Sequence, residues 1–212
     1  MKQLYLILLF TLTFLNATAN NTALVPSATI SGNTTVCQNA TGVVITFTGS
    51  GGTAPYTFTY TNPSGTQQTT PASSGSTITI PVVTNTVGTF TYTLVSVHDA
   101  VTSAEQSSSG TATVIVSAPP TIDFTFNNDN SCSDTVIQFT SSVSGTGTNS
   151  YYWDFGDGTP ISNSQNPTHS FTSLGCATTI FSVVLTVTRG GCTVTRTHTI
   201  NISQSNCKNR IC

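Results

Sequence analysis

Short segments in which threonine alternates with a large apolar residue recur along most of the chain. Period-two alternation places apolar side chains on one face of a strand and hydroxyls on the other. Turn sequences rich in Gly, Pro and Ser separate the segments, and Pro55, Pro71 and Pro81 stand at strand starts or edges, where a missing N–H is tolerated. The pattern therefore predicts strands at 43–47, 56–60, 77–80, 90–94, 113–116, 122–126, 136–139, 151–153, 168–171, 181–187 and 193–202.

The dipeptide Pro119-Pro120 divides these segments into two groups and forms a stiff joint between them. Six or seven short strands in about 85 residues are the spacing of an immunoglobulin-like (Ig-like) sandwich. The sequence thus predicts an all-β protein of two consecutive Ig-like antiparallel β-sandwich domains, at 20–118 and 119–203, with a polar tail at 204–212. One larger all-β domain over both groups is the alternative, and the Pro-Pro joint argues against it.

The first nineteen residues have the features of a signal peptide. Lys2 supplies a positive charge, residues 4–15 are mostly apolar, and Ala17-Thr18-Ala19 has the small-x-small pattern of a cleavage site. The apolar stretch is shorter than the roughly 20 residues that a membrane-spanning helix needs. The sequence therefore predicts a signal peptide at 1–19, no membrane span after its removal, and a secreted or cell-surface location.

The low charge of the chain excludes several functions. Charged residues make up 6% of the sequence, against about 25% in an average soluble domain. Five Lys and Arg residues cannot neutralise a run of phosphates, so nucleic acid is excluded as a partner. His98, His169 and His198 lie in no recognised catalytic or metal motif, and neither G-x-S-x-G nor H-E-x-x-H occurs. We therefore expect no catalytic residues and no enzymatic activity.

Six cysteines accompany the predicted export, which would place them in an oxidising compartment. No two of them have C-x-x-C spacing, which makes a zinc site improbable. Sequence alone does not fix the pairing. The preferred pair is Cys132 with Cys192, because Cys132 precedes an early strand and Cys192 lies in the hairpin between the last two strands. The six are Cys37, Cys132, Cys176, Cys192, Cys207 and Cys212.

The most specific motif lies in the second group of strands. A Trp-Asp-Phe-Gly-Asp-Gly segment at 153–158 is followed by a His-x-Phe segment at 169–171 and by an alternating strand at 181–187. This ordered set resembles the PKD (polycystic kidney disease) domain over residues 120–203, which implies an Ig-like sandwich. The motif residues are Trp153, Asp154, Phe155, Gly156, Asp157, Gly158, His169 and Phe171.

The chemistry of these residues supports a structural role for the motif. Trp153 can fill the centre of a sandwich, and Asp154 can accept hydrogen bonds from backbone N–H groups of the turn that follows. Gly156 tolerates a positive φ, and Asp157-Gly158 is a tight-turn signal. The resemblance implies a core or turn position for His169. Residues 174–179 depart from it, because they lengthen the usual short turn and add Cys176.

The first group of strands has a different resemblance. Segments 30–40, 51–58 and 88–97 resemble Ig-like repeats of large secreted proteins of Bacteroidetes bacteria, which are surface adhesins or gliding-motility-associated proteins. Those repeats often have a second cysteine near positions 103–105, where this chain has Ser103-Ala104-Glu105. The resemblance therefore leaves Cys37 to pair with Cys176, Cys207 or Cys212, or to remain free.

Calcium is the one cofactor that the sequence suggests. Asp154 and Asp157, with Asp129 and Asn127 from a nearby loop, could supply hard oxygen ligands. Some PKD domains bind calcium, and the resemblance extends that expectation to this chain. The spacing is not that of a dedicated D-x-D-x-D-G loop, so carboxylates that merely shape turns are the favoured alternative.

Taken together, these features predict a secreted or cell-surface, non-enzymatic module. Its partner would be an extracellular protein or polysaccharide, contacted through faces and loops of the sandwiches. One alternative is an accessory module of a secreted system that degrades polysaccharide or protein, as the PKD resemblance implies. The other is the truncated N-terminal part of a giant adhesin.

Overall fold

The structure, a computed structural model, describes residues 24–101, 105–173 and 177–204. The predicted signal peptide at 1–19 and residues 205–212 of the predicted tail lie outside the described residues, as do Cys176, Cys207 and Cys212. The described residues form fifteen strands and no helix. The predicted all-β class is therefore confirmed.

Eight strands form two facing sheets, which we call the first sandwich. The strands are β1 (Ser27–Ser31), β2 (Thr34–Cys37), β3 (Val44–Ser50), β4 (Thr57–Thr61), β5 (Gln67–Thr69), β6 (Thr77–Pro81), β7 (Gly88–His98) and β8 (Gln106–Ser117). One sheet has the order β1-β3-β6 and the other β2-β8-β7-β4-β5. Strand β3 shows the alternation that the sequence predicts, because Ile45 and Phe47 are fully buried while Thr46 and Thr48 are not.

The remaining seven strands form the second sandwich. They are β9 (Ile122–Phe126), β10 (Ser131–Cys132), β11 (Val136–Val143), β12 (Ser150–Asp154), β13 (Thr168–Ser170), β14 (Thr179–Arg189) and β15 (Cys192–Ser203). One sheet has the order β10-β15-β14-β12 and the other β13-β11-β9. Apolar side chains from both sheets form a core of their own, separate from that of the first sandwich.

The two sandwiches share one topological device. In each, the opening strand pairs antiparallel in one sheet, and the next strand pairs parallel with the final strand of the other sheet. Strand β2 pairs in this way with β8, and β10 with β15. Between β1 and β2 the chain passes through Gly32, with φ +124°, where a Cβ would lie 2.8 Å from the Val44 carbonyl oxygen. The crossing therefore needs a residue without a side chain.

A short linker joins the sandwiches. Strand β8 ends at Ser117 and β9 begins at Ile122. The Thr121 N–H donates to Ser144 Oγ (2.8 Å), and the Ser144 N–H donates to the Thr121 carbonyl (2.9 Å). These bonds hold the end of the linker against the loop that follows β11.

Candidate functional site

The Trp153 indole lies at the centre of the second core. It is fully buried and contacts Phe124 and Phe139 at ring-centroid distances of 5.0 and 5.6 Å. Its Nε1–H donates to the Ser164 carbonyl at 2.9 Å, so the one polar atom of the ring is satisfied. The backbone of Trp153 also exchanges two hydrogen bonds with Ser162. The indole is therefore sealed between the sheets and does not face an open cleft.

The two carboxylates after Trp153 shape the turn that follows β12. Asp154 Oδ1 accepts a hydrogen bond from the Gly156 N–H at 2.9 Å. Asp157 Oδ1 accepts from the N–H and Oγ1–H of Thr159, at 3.1 and 2.6 Å. Gly156 has φ +72°, and a Cβ there would collide with the Ser182 carbonyl of β14. Each carboxylate thus satisfies backbone groups of the turn, as the sequence predicts for Asp154.

A histidine on the opposite sheet anchors this turn. His169 Nε2 lies 2.7 Å from Asp157 Oδ2, and the exposed fractions of the two side chains are 14% and 8%. The imidazole stacks on Phe155 with centroids 3.9 Å apart and meets the edge of Phe171 at 4.7 Å. The pair therefore ties the turn after β12 to β13 across the end of the sandwich.

Burial raises the pKa of Asp157, but the hydrogen bonds from Thr159 and His169 outweigh it and hold that pKa below its ordinary value of 3.8. The carboxylate is thus ionised at neutral pH and available to accept both bonds. In a catalytic triad, the acid and the nucleophile bind opposite nitrogens of the imidazole. Here Asp157 and the Thr159 hydroxyl (3.4 Å) both face Nε2. The geometry therefore suits a structural clamp and does not activate Thr159.

A second carboxylate–histidine contact joins the sheets of the second sandwich at the surface. Asp123 of β9 lies 2.6 Å from His198 Nε2 and 3.2 Å from Arg196 Nε, both on β15. Hydrogen bonds from His198, from the Phe124 N–H and from Arg196 lower the pKa of Asp123 to about 2. Sequence reasoning missed this group, because its members lie more than seventy positions apart and carry no motif.

A disulfide joins the two sandwiches. Cys37, at the end of β2, is bonded to Cys192, at the start of β15, across a sequence separation of 155 residues. The predicted Cys132–Cys192 bond is therefore wrong, as is the expectation that Cys37 pairs with Cys176, Cys207 or Cys212 or stays free. Cys132 is also disulfide-bonded.

The geometry of β15 explains why the predicted bond does not form. Cys132 is in register with Ser203, at the opposite end of β15 from Cys192. At about 3.3 Å per residue, those two ends are roughly 36 Å apart. A disulfide requires Cα atoms within about 7 Å. The β14–β15 hairpin instead points at the first sandwich, where Cys192 meets Cys37.

Two glycines allow this hairpin to approach the first sandwich closely. A Cβ at Gly190 would lie 2.5 Å from Ser117 Oγ, and one at Gly191 would lie 2.7 Å from the Thr35 carbonyl oxygen and 2.9 Å from Val36 Cα. Both glycines have positive φ, so each position also disfavours any other residue. The Gly-Gly-Cys sequence at 190–192 is the feature that could have indicated this close approach, but it is equally typical of an ordinary hairpin turn.

The comparison with protein families concerns the second sandwich. Residues 117–203 match the family model of the PKD domain. The match begins at the last residue of β8 and ends at the last residue of β15, so it spans every strand of the second sandwich. No curated protein matches the chain in sequence. The predicted PKD resemblance is confirmed for this segment, while the resemblance of the first sandwich to Bacteroidetes adhesin repeats stays a prediction.

Two solved structures that are similar over most of this chain have Ig-like or fibronectin-like folds. Fibronectin(III)-like modules of CbhA from Clostridium thermocellum align with a TM-score of 0.50 at 14% identity, covering 84% of this chain and 93% of that one. A marsupial T cell receptor aligns with a TM-score of 0.51 at 12% identity, covering 85% and 74%. At such low identity these likenesses show the fold alone. They confirm the prediction of tandem Ig-like β-sandwiches.

The three carboxylates predicted as calcium ligands do not form one site. Asp154 and Asp157 lie in the turn of the PKD match, whereas Asp129 Oδ1 accepts a hydrogen bond from the Asn201 N–H of β15 at 3.0 Å. Asn127 Oδ1 accepts from the Gln138 N–H of β11. Within residues 24–101, 105–173 and 177–204, no three His, Cys, Asp or Glu side chains are grouped to hold a metal ion. Calcium binding therefore stays a prediction that this geometry does not favour.

Two further observations bear on the type of protein. PKD and Ig-like or fibronectin-like domains are in general non-catalytic structural modules. The part of the chain that the structure describes has no helix with the length and hydrophobicity needed to cross a bilayer.

Proposed function

We propose that the protein is a secreted or cell-surface, non-enzymatic binding module that contacts another extracellular protein. Its units are a signal peptide at 1–19, an Ig-like domain at 20–118, a PKD domain at 119–203 and a polar tail at 204–212. The proposal includes that the first domain is similar to the Ig-like repeats of Bacteroidetes surface adhesins.

The observation that carries the proposal is the Cys37–Cys192 bond between the sandwiches. Disulfides persist in oxidising compartments and are rare in the cytosol of most organisms, so this bond supports an extracellular location. A bond across a domain joint also removes hinge freedom, because the joint is then held both by the linker and by the hairpin. Two sandwiches at a fixed angle present loops from both to one partner without the entropy cost of ordering the joint.

The exposed side chains favour protein over polysaccharide as the partner. Polysaccharide-binding surfaces on sandwiches use rows of exposed aromatic rings, and of the large apolar side chains exposed among the described residues Tyr152 is the one aromatic. The others are aliphatic: Leu24, Val25, Val44, Val83, Val87, Val101, Ile115, Val136, Ile161 and Ile180. This composition disfavours the role of an accessory module in polysaccharide degradation.

Fractionation of cells that produce the native protein tests the proposal. We expect the mature chain in the medium or on the cell surface, starting at Asn20, with Cys37 and Cys192 linked in non-reducing peptide maps. Chemical crosslinking on intact cells should then capture a protein partner. Recovery from the cytosol with both cysteines reduced would overturn the proposal. If protein-free polysaccharide captured the chain as well as intact cells do, the proposed partner would be a glycan and not a protein.

A further inference from the structure

A groove of about 560 Å³ lies at the joint between the sandwiches. The first sandwich contributes the ends of β7 and β8, including Val87, Ile115 and Ser117. The second contributes the loop after β11, including Thr148, and the tip of the β14–β15 hairpin with Arg189. Its size is in the range of sites that hold a small ligand or a few residues of a peptide. The Cys37–Cys192 bond adjoins this joint and keeps its two walls together.

Among the described residues that line the groove, Arg189 is the one with a charge, and none is Asp or Glu. The side chain is seated by two glycines of the facing loop. A Cβ at Gly145 would lie 2.9 Å from Arg189 Nη2, and one at Gly147 would lie 3.2 Å from Arg189 Cδ. The loop therefore leaves room for the Arg189 side chain, which a side chain at position 145 or 147 would displace.

Within the part of the chain that the structure describes, this guanidinium has no partner for its charge. The described residues contain two cations, and Arg196 pairs with Asp123. Among the described residues Arg189 forms no ion pair. Its Nη1 has no hydrogen-bond partner there, but this atom is shielded from solvent and is therefore out of reach of a ligand in the groove. A negatively charged ligand that approaches the other guanidinium nitrogens from the groove would supply the counter-ion that the described chain does not.

Aliphatic side chains lie beside this charge. Val87 and Ile115, which are 48% and 42% exposed, line the same groove. No aromatic ring is among its lining residues, so it offers no stacking surface for a sugar. The combination of one fork-shaped cation with exposed aliphatic groups matches a polypeptide carboxyl terminus. Its carboxylate can accept two parallel hydrogen bonds from a guanidinium, while its last side chain packs on the aliphatic wall.

We propose that this groove binds the free carboxyl terminus of a protein whose last residue is aliphatic, with Arg189 receiving the carboxylate. The proposal deepens the proposed function, because it names the partner class and the site. It is tested on the purified chain, so its failure is distinguishable from a failure of the proposed location.

The experiment is a peptide array with randomised C-terminal residues, each peptide present once with a free carboxylate and once as the amide. We expect enrichment of peptides ending in Val, Leu or Ile with a free carboxylate, and at least tenfold weaker binding of the matched amides in solution. Arg189→Gln should weaken binding at least tenfold, whereas Arg196→Gln should change it less than twofold. Ile115→Thr should weaken it severalfold, with exposed Ile180→Thr, outside the groove, as its matched control.

Folding of the Arg189, Arg196 and Ile180 variants is checked through Trp153 fluorescence, which reports the second core. Folding of Ile115→Thr, which lies in the first sandwich, is checked by circular dichroism. Absence of enrichment on the array, or equal binding of acid and amide, overturns the proposal. Retained binding by folded Arg189→Gln does so as well. Stronger binding of an oligogalacturonate than of any peptide would assign the groove to an acidic sugar and also refute a peptide site.

Discussion

Removal of the Cys37–Cys192 bond should lower the stability of both sandwiches by an amount that follows from the structure. In the variant Cys37→Ala/Cys192→Ala the crosslink is lost, while the linker between β8 and β9 still joins the sandwiches. The two cysteines belong to different sandwiches. If one sandwich unfolds, the bond therefore still ties its chain to the sandwich that stays folded. The loss of stability in the variant then depends on the length of the unfolded chain segment that the bond closes into a loop.

That length follows from the strand register. Cys37 pairs with Ser117 in the parallel β2–β8 ladder, so the folded first sandwich holds Cys37 beside the end of β8. When the second sandwich unfolds alone, the restrained loop runs from Ser117 to Cys192, which is 192 − 117 = 75 residues. The chain-entropy relation gives about 4.5 kcal/mol for such a loop at 25 °C. When both sandwiches unfold together, the separation of 155 residues gives about 5 kcal/mol.

The assay is urea unfolding followed by tryptophan fluorescence. Trp153 is the single tryptophan of the chain and is fully buried in the second sandwich, so its emission reports that sandwich alone. With an m-value of about 1.5 kcal/mol/M, a loss of about 4.5 kcal/mol moves the unfolding midpoint down by about 3 M urea. Tyrosine absorbance follows both sandwiches, because Tyr56, Tyr60 and Tyr92 lie in the first and Tyr151 and Tyr152 in the second, and it should shift in the same direction.

The single variants serve as internal controls. Either Cys37→Ala or Cys192→Ala alone already breaks the bond, so each single variant and the double variant should lose similar stability, within about 1 kcal/mol. Additive losses would mean that side-chain packing at Cys192, which is 1% exposed, dominates over the crosslink. A loss below about 1 kcal/mol in the double variant would refute the loop-entropy reasoning outright.

Three further outcomes are expected. Gly191→Ala and Gly158→Ala impose the same backbone strain, at φ +76° and +78°, but only Gly191 faces neighbouring backbone atoms within 3 Å. In urea unfolding Gly158→Ala should therefore cost about 1–2 kcal/mol and Gly191→Ala clearly more, and equal losses would contradict the close approach. Asp157→Asn should destabilise the second sandwich by about 1–3 kcal/mol at neutral pH. Folding lowers the pKa of Asp157, so this stabilisation is complete above pH 3.8 and is lost as pH falls through the pKa of the folded state. The unfolding free energies of wild type and variant should therefore converge in acid. A difference in unfolding free energy that does not depend on pH would argue against the ionised clamp. Millimolar calcium should leave the melting temperature unchanged within about 1 °C, whereas a rise that Asp129→Asn abolishes would restore the calcium site.

The parts of the fold that were predicted from sequence are those set by local pattern. Alternation places Ile45 and Phe47 in the first core, and the Trp-Asp-Phe-Gly-Asp-Gly segment places Trp153 in the second. Strand β8 was predicted only at 113–116, because its first half, at 106–112, is mostly Ser, Gly and Thr with no alternation. That half is a strand because it pairs with β7, which is a long-range condition that local sequence does not show.

Long-range geometry also explains the errors at the candidate site. The Asp157–His169 contact joins residues twelve positions apart within one motif, so a structural role for both could be inferred. The Asp123, Arg196 and His198 contacts and the Cys37–Cys192 bond join residues whose approach depends on how sheets and sandwiches pack. No periodicity encodes that packing. A cysteine in a hairpin therefore has no partner that sequence reasoning can select.

The hairpin between β14 and β15 shows how much of the domain joint one short segment specifies. Loops at the ends of sandwiches are usually exposed and tolerant of substitution. Here four consecutive residues lie at the joint. Arg189 lines the groove, Gly190 faces Ser117, Gly191 faces the β2 backbone, and Cys192 is bonded to Cys37. The turn residues are therefore constrained by a neighbouring sandwich and not only by the turn itself. The same constraint brings the walls of the groove together, so domain orientation and the proposed binding site depend on the same residues.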